Sequence, residues 1–378
     1  MTTVVVHGGA IDDGPAINAA LSGAVTVSLP DPVYNIATKV VLNSAGQRLI
    51  GDGRGAVKLL CSTPNAAISV ANGVTEFQIS DFDMVRVGIP IAGQNGIDTS
   101  YGIADEGLIS RIEVSGFWQG FCLGPTSFSL AEHLIATDCY DDGIVITNRF
   151  FSGGLQWDTN RCLSQQNNGL GFLIETVTGD TTLGDHEWVK TFANLKGGFA
   201  AQALAGTRIN SVRLLKPFCG QDGGHEILLS TGPGTTHQIV APYVESAGRS
   251  PCGVGLSHAA TNQGCGIYAD PTVNMLAVTG GVIAGCSWSG IETWALRSVV
   301  NGASLQSNGF IALPGEKCGF FLGGPTVVTG CLANGHFVNL YAQVDSHIIT
   351  DNDLRNWSYA AIAGSGPLVV SKQDNNLT

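Results

Sequence analysis

The sequence is poor in charge, and poorest in positive charge. Of its 378 residues 13% are charged, and 18 Lys and Arg stand against 30 Asp and Glu, which gives a net charge of −12. A protein that binds a phosphate backbone needs a dense basic surface. The shortage of basic residues therefore argues against nucleic acid as a partner, and against an anionic membrane surface.

Long apolar runs are also missing. No segment is apolar over the length that a membrane span requires, so we expect no membrane insertion. The first residues, MTTVVVHGGAIDDG, contain no basic stretch followed by a long apolar one. We therefore expect a soluble chain that is made in the cytoplasm without a secretion signal.

Paired cysteines are absent as well. Ten Cys are scattered singly, without a CxxC pair and without a His cluster at the spacing of zinc ligands. We interpret them as small apolar core residues of a reducing compartment. We predict no cofactor and no metal site, with calcium bound by outward Asp residues as the open alternative. The 51 Gly far exceed the 14 Pro. With many Val, Ile and Thr, this composition favours short strands and tight corners, which are typical of an all-β fold.

A repeated unit runs through most of the chain. It consists of a short apolar strand, a polar corner, a Gly and a second short apolar strand, as in LIATDCYDDGIVI from Leu134 and VIAGCSWSGIETW from Val282. Strands this short must stack on neighbouring units to satisfy their backbone groups and to bury their inward side chains. Because no four-stranded blade signature occurs, the repeat predicts a single-stranded parallel β-helix rather than a propeller.

The N-terminal residues predict a short helix that caps this solenoid. Asp12 and Asp13 precede Pro15 as helix-start signals, and Ile17 and Leu21 fall on one helical face. Such a helix covers the apolar core and the strand edges that an open end would expose. The predicted division is an N-terminal strand and capping helix in residues 1–30, the β-helix in residues 31–362, and a C-terminal strand or tail in residues 363–378.

The run from Asp12 to Leu60 resembles the opening of the pectate-lyase-like superfamily. It has an acidic and Gly-containing start, the helix AINAAL, the strand VSLPDPVYNI and the turn LIGDGRG. That superfamily has a right-handed parallel β-helix and includes polygalacturonases, pectate lyases and the tailspike depolymerases of bacteriophages. Free thiols and the missing secretion signal favour the tailspike branch.

The resemblance implies a phage tailspike, that is, a receptor-binding protein that binds and depolymerises a host cell-surface polysaccharide. It further implies a homotrimer, contacts with phage tail or capsid proteins, and a place in the virion after synthesis in the host cytoplasm. Two alternatives stay open. One is a noncatalytic β-helical fibre or spike of a virion, and the other is a bacterial polysaccharide hydrolase or lyase.

Two acidic clusters are candidates for glycoside hydrolysis, which requires two carboxylates beside the scissile bond. Adjacent coils of a β-helix lie about 4.8 Å apart, so outward carboxylates on neighbouring coils can form such a pair. The denser cluster contains Asp138, Asp141 and Asp142, and Asp158 follows one coil later. We predict Asp141 and Asp142 as catalytic residues and Asp138 and Asp158 as substrate-binding residues, although Asp before Gly is also ordinary corner chemistry.

The second cluster lies in the segment GQDGGHEILL. Strand alternation from an inward Ile227 predicts that Glu226 faces outward. Asp222 and Glu226 are therefore also predicted as catalytic residues, and His225 is predicted either to bind substrate or to be a satisfied polar residue at a corner. His225 stands in G-H-E where polygalacturonases carry G-H-G, so only their general architecture carries over. Because Lys and Arg are few and unclustered, hydrolysis is favoured over a lyase reaction.

Tryptophan supplies the flat apolar surface that a sugar ring needs. Of six Trp, we predict Trp157 and Trp188 as substrate-binding platforms because acidic residues flank both. Packing in the core or at a subunit interface is the alternative for each of them.

Overall fold

The computed structural model describes residues 2–181, 183–248, 264–309, 318–336, 338–343, 347–357 and 360–364. These residues form one helix and 38 short strands, and they belong to two compact units, Met1–Asp185 and His186–Thr378. The predicted boundaries at residues 30 and 362 stay a prediction, and residues 365–378 of the predicted tail lie outside the described residues. In the described part of the chain, no helix is long and apolar enough to cross a membrane.

The first unit contains the helix α1 and seventeen complete strands. In chain order they are β1 Thr3–Val5, α1 Gly14–Gly23, β2 Thr26–Leu29, β3 Val33–Ile36, β4 Val40–Leu42, β5 Arg48–Gly51, β6 Lys58–Cys61, β7 Ile68–Val70, β8 Gln78–Arg86, β9 Ile97–Asp98, β10 Leu108–Ser115, β11 Phe121–Leu123, β12 Thr126–Thr137, β13 Ile144–Thr147, β14 Leu155–Asn160, β15 Leu163–Gln165, β16 Leu170–Thr176 and β17 Asp180–Thr181.

The remaining strands belong to the second unit, except that the first of them begins at Asp185, the last residue of the first unit. They are β18 Asp185–Glu187, β19 Lys190–Phe192, β20 Gly197–Ala203, β21 Arg208–Ile209, β22 Ser211–Leu215, β23 Phe218–Gly220, β24 Ile227–Ser230, β25 Thr236–Val240, β26 Tyr243–Glu245, β27 Ile267–Ala269, β28 Met275–Thr279, β29 Val282–Ala284, β30 Ile291–Thr293, β31 Arg297–Asn301, β32 Ser304–Gln306, β33 Cys318–Leu322, β34 Thr326–Thr329, β35 Leu332–Asn334, β36 Val338–Ala342, β37 Ile348–Thr350 and β38 Ala360–Gly364.

Each coil contributes three strand segments, and each segment pairs in parallel with its equivalent one coil away. In the first unit one sheet runs β4-β7-β9-β11-β13-β16. The other two segments follow each other with a bend between them, so the first half of β8 pairs with β5 and the second half with β6. The second unit repeats the scheme, with β20-β24-β27-β30-β33-β36-β38 in one sheet. The predicted all-β class and parallel β-helix are confirmed.

The bend between those two segments contains left-handed backbone geometry. In the second unit the residues concerned have φ between 49° and 89°, and they are Trp188, Lys216, Ala241, Gly280, Gly281, Gly302, Gly330 and Asp351. Left-handed geometry costs a residue with a Cβ about 1–2 kcal/mol. The left-handed conformation recurs at Gly and at non-Gly residues, so the geometry of the corner, and not the residue type, requires it.

Apolar side chains stack in register down the interior. One fully buried column of the second unit contains Leu214, Ile239, Val278, Val300, Val328 and Ile349, each paired with the next. Inward side chains alternate with outward ones along each strand, as in the burial pattern of β25. The core of each unit is therefore built from layers of Val, Ile and Leu, one layer per coil.

The capping helix lies at the start of the first unit, as predicted. α1 buries Ile17 and Leu21 and packs against β2 and β4. Pro15 lies in its first turn, but the Asp13 side chain does not cap the helix. Its two carboxylate oxygens accept the N–H groups of Ala10 and Asn35 at 3.0 and 2.8 Å. Asp13 therefore connects the helix start to β3.

Cysteine and asparagine side chains together fill the corners and provide hydrogen-bond partners for backbone groups there. The nine described cysteines are free and buried, and Cys252 lies outside the described residues. The N–H groups of Cys139, Cys286 and Cys331 each donate at 2.9 Å to the side-chain oxygen of an Asn in a following coil, respectively Asn167, Asn308 and Asn352. A small thiol fills the corner while the amide replaces a missing backbone partner.

The left-handed corner makes a testable prediction at Ala241, which is exposed and has φ of 49°. Replacing it by Gly removes the steric cost of the left-handed conformation, whereas Ala277→Gly, within β28, only adds the entropic cost of Gly. We expect Ala241→Gly to be neutral or stabilising and Ala277→Gly to destabilise by about 0.5–1 kcal/mol, measured by denaturant unfolding. Equal destabilisation by both would contradict the corner argument.

Candidate functional site

The outer face of the β4-β7-β9-β11-β13-β16 sheet forms the floor of a groove in the first unit. Ser69, Asp98, Cys122, Val145 and Leu173 occupy one outward row, in register from strand to strand. Three of them contact the groove, while the inward neighbours on each strand belong to the apolar core. The sheet thus offers a straight outer surface that crosses several coils.

Two adjoining cavities make up this groove, with volumes of about 200 and 420 Å³. Both are lined by Ala92, Gly93 and Tyr101, so they lie side by side. The larger also contacts Lys39 and Asn65, and the smaller extends across β11 and β13. An elongated groove on a sheet face suits an elongated ligand better than a compact one.

Two carboxylates line the smaller cavity. Asp141 lies there at the corner before β13, where its N–H donates to the carbonyl of Trp118 at 2.8 Å. Glu175 extends from β16, with 12% of its side chain exposed, and one of its oxygens lies 2.9 Å from an Arg149 guanidinium nitrogen. The structure therefore brings predicted Asp141 together with Glu175 and Arg149, which are not in the predicted site.

Aromatic rings flank these carboxylates. Tyr101 and Phe150 stack with ring centroids 4.7 Å apart, and they stay 57% and 50% exposed. Trp118 lines the same cavity. Exposed rings of this kind offer a flat apolar surface against which a sugar ring can pack.

The other predicted residues of the first cluster lie elsewhere. Asp142 is buried, which overturns the expectation that it faces solvent, and its Oδ1 accepts the N–H of Leu170 at 2.7 Å. A Cβ on Gly169 would lie 2.2 Å from the same oxygen, so this glycine is required for the close approach. Asp138 accepts the Thr137 hydroxyl hydrogen at 3.2 Å, and Asp158 accepts the N–H of Asp185 at 2.8 Å. Neither Asp138 nor Asp158 lines the groove.

Trp157 is a core residue, so its predicted use as a sugar platform is wrong. It lies in the middle of β14 on the inward face and is fully buried. Its Nε1–H donates to the carbonyl of Gly124 at 2.8 Å, which satisfies the indole without water. Trp188, by contrast, is 41% exposed at a left-handed corner of the second unit. Its role in binding stays a prediction.

Asp222 and Glu226 are close together, as predicted, but both are fully buried. The expectation that Glu226 faces outward is wrong, because Glu226 precedes the first residue of β24 and lies in a corner where strand alternation does not hold. Asp222 accepts hydrogen bonds from the N–H and side-chain amide of Asn194 at 2.6 and 2.8 Å. Its own N–H donates to Glu226 at 3.0 Å. Through its hydrogen bonds with Asn194, Asp222 connects two neighbouring coils.

Burial raises the pKa of Glu226 well above its usual range, and the negative charge of Asp222 adds to that effect. Burial likewise raises the pKa of Asp222. His225 separates from the pair and lies on the outer sheet face, where its ring stacks on Tyr268 at 4.7 Å. Burial lowers the pKa of His225 to about 4, and its Nδ1 accepts the N–H of Cys265 at 3.1 Å. His225 is therefore a neutral imidazole at a corner.

Sequence reasoning missed Tyr101, Arg149 and Phe150. These residues lie in the connections β9–β10 and β13–β14, which are longer than a tight corner requires. Insertions between short repeated strands mark places where the chain leaves the solenoid, and that length was the available signal. Glu175 follows Leu173 by two residues on β16, so both side chains leave the same face of that strand.

Comparison with solved structures identifies the fold. The A-module of the mannuronan C-5 epimerase AlgE6 from Azotobacter vinelandii is 16% identical, with a TM-score of 0.60 over 98% of this chain and 97% of that one. The pre-mature gene product 12 of bacteriophage phi29 is 14% identical, with a TM-score of 0.68 over 97% of this chain and 55% of that one. Both are right-handed parallel β-helix proteins.

The chain has the right-handed parallel β-helix fold. A third β-helix relative by structure, the DFA-IIIase from Arthrobacter chlorophenolicus A6, is 10% identical, with a TM-score of 0.53 over 97% of this chain and 90% of that one. At identities this low the similarity shows the β-helix alone. No family model matches the chain, and no curated protein matches it.

The buried carboxyl pair makes the stability of the protein depend on pH. Because the pKa of Glu226 is raised in the folded state, its stabilising contribution is complete below the usual Glu pKa of 4.5 and is lost as pH rises through the folded value. We expect Glu226→Gln to lose less stability than the parent as pH rises above 4.5. Melting temperature against pH measures the difference.

Glu113→Gln provides the control, since Glu113 is an outward residue of β10. That variant should follow the parent at every pH. Parallel curves for the parent and Glu226→Gln would show that Glu226 is not the group responsible.

Proposed function

We propose that the chain is a phage tailspike that binds a host surface polysaccharide and hydrolyses it in the groove of the first unit. The observation that carries this proposal is the meeting of Asp141 and Glu175 in one elongated groove beside exposed Tyr101 and Phe150. Among β-helix proteins of similar structure, one is a phage gene product and one an epimerase of the polysaccharide mannuronan. The first neighbour supports a phage origin, and the second supports action on a polysaccharide.

In this proposal Asp141 is the general acid that protonates the glycosidic oxygen as the bond to the sugar breaks. Glu175 is the second carboxylate, which either activates the attacking water or attacks the sugar directly. Arg149, bound to Glu175 at 2.9 Å, fixes the orientation of that carboxylate and is a positioning residue. Tyr101 and Phe150 hold the sugar rings in the groove.

A spike that binds without cleaving is the second candidate function. One observation favours it, because the carboxylate of Glu175 is already engaged by Arg149 and its side chain is largely covered. A bacterial hydrolase or lyase of the same fold would share the groove and differ in origin and chemistry.

Separate variants test the catalytic pair. Asp141→Asn and Glu175→Gln should each lower the cleavage rate by roughly 100-fold to 10,000-fold, because general acid–base catalysis contributes about that much. Binding of polysaccharide should persist, whereas Tyr101→Ala and Phe150→Ala should weaken it by roughly tenfold, about 1.4 kcal/mol. Release of oligosaccharides, followed by mass spectrometry, measures cleavage, and saturated products identify hydrolysis.

Glu113→Gln is again the matched control and should cleave at the parent rate. Unsaturated products would identify a lyase. If the parent binds polysaccharide and never cleaves it, the binding spike is the correct function.

The same proposal includes a homotrimer in the virion, in contact with phage tail or capsid proteins. Exposed apolar residues of the first unit, among them Ile89 at 77% and Ile91 at 65%, need a covering partner. We expect light scattering to give three times the 39.2 kDa chain mass. The variant Ile89→Ser, Ile91→Ser should shift the mass toward the single chain, and a parent that runs as a monomer at micromolar concentration contradicts the trimer.

A further inference from the structure

One outer face of the second unit combines lysines with aromatic rings. We propose that this face binds a sugar that carries a carboxylate. It consists of Trp188, Lys190, Lys216, Phe218 and Tyr243, and we call it the lysine–aromatic face. The inference rests on the proposed function, polysaccharide binding, and names the class of sugar that is bound.

The face is built on three adjacent strands. Lys190 of β19, Phe218 of β23 and Tyr243 of β26 are paired in register, so they form one outward row. The rings of Phe218 and Tyr243 stack with centroids 5.0 Å apart. Trp188 and Lys216 occupy the left-handed corners that precede β19 and β23. The corner residues therefore stand directly beside the row.

The two lysines reach across between neighbouring coils in opposite directions. Lys190 places its Nζ 5.7 Å from the centroid of Phe218, one coil further along the chain. Lys216 lies in that further coil and places its Nζ 5.0 Å from the centroid of Trp188. Two ammonium groups are thus concentrated between the same two coils, each held against an aromatic ring.

These positive charges are not neutralised by a carboxylate. In the described ranges, neither Lys190 nor Lys216 has an acidic oxygen within ion-pair distance. Attraction to a ring face holds a cation in place without cancelling its charge. In a chain with a net charge of −12, a face that presents two uncompensated cations is complementary to an anion.

The neighbouring groups indicate a singly charged sugar. Trp188 and Tyr243 are 41% and 43% exposed, so their rings can pack against the apolar side of a pyranose. Glu245 lies at the margin of the face, where its Oε2 accepts the Tyr243 hydroxyl hydrogen at 3.1 Å. Glu245 at this margin repels the second charge of a phosphate dianion, so the face suits a single carboxylate better than a phosphate.

Binding measurements with charged and neutral glycans test the inference. The probes are oligosaccharides of polymannuronate and polygalacturonate, together with carboxyl-reduced forms that keep the rings and lose the charge. We expect the parent to prefer the charged probes, and added salt to weaken that preference. The double variant Lys190→Gln, Lys216→Gln should weaken binding of the charged probes roughly threefold to tenfold and leave the neutral probes unchanged.

Three further variants give the test its specificity. Lys216→Arg should retain the preference, Trp188→Leu should weaken both kinds of probe, and Lys58→Gln, at an exposed lysine of β6 in the first unit, should change neither. Equal binding of charged and reduced probes, or no effect of the double lysine variant, overturns the inference. A changed molecular mass of the double variant overturns it as well, since the face would then be a subunit contact. Cleavage by Asp141 and Glu175 is assayed separately, so failure of this inference and failure of the proposed function are distinguishable.

Discussion

Backbone hydrogen bonds between equivalent strands of successive coils are the interaction on which each unit depends. A strand of three to five residues is unstable alone, and it gains its partners only when the neighbouring coils begin and end at matching positions. Left-handed residues in the bends, as at Lys216 and Ala241, supply that match by turning the chain within one or two residues. The in-register apolar columns follow, because matched strands place like side chains above one another.

This dependence also explains where polar groups are buried. Corners interrupt the backbone ladder, so side chains must satisfy the groups that are left over. Asn167 does so for Cys139, Asp142 for Leu170, and Asp222 for Asn194. Carboxylates at corners therefore serve as connections between coils, and acidic residues near Gly do not by themselves indicate a catalytic site.

The sequence contained enough information for the fold and for only part of the candidate groove. Repeats and Gly corners predicted the coils, and the spacing of Ile17 and Leu21 predicted the helix. Asp141 and Asp142 are adjacent and chemically identical, yet one lines the groove and the other is buried. Their directions depend on the corner conformation and not on strand alternation, and for the same reason alternation from Ile227 gives the wrong direction for Glu226. Arg149 and Phe150 lie in an irregular connection whose path no periodic pattern encodes.

The regular strands hold the fold together and the irregular connections line the groove, which has a consequence for how the protein can evolve. The residues around the groove, Gly93, Tyr101 and Phe150, come from the connections β8–β9, β9–β10 and β13–β14, whereas the strands below them carry the hydrogen-bond ladder. A connection can lengthen, shorten or change composition while the coil register is kept. The lining of the groove can thus change by exchange of these segments under little selective constraint from folding.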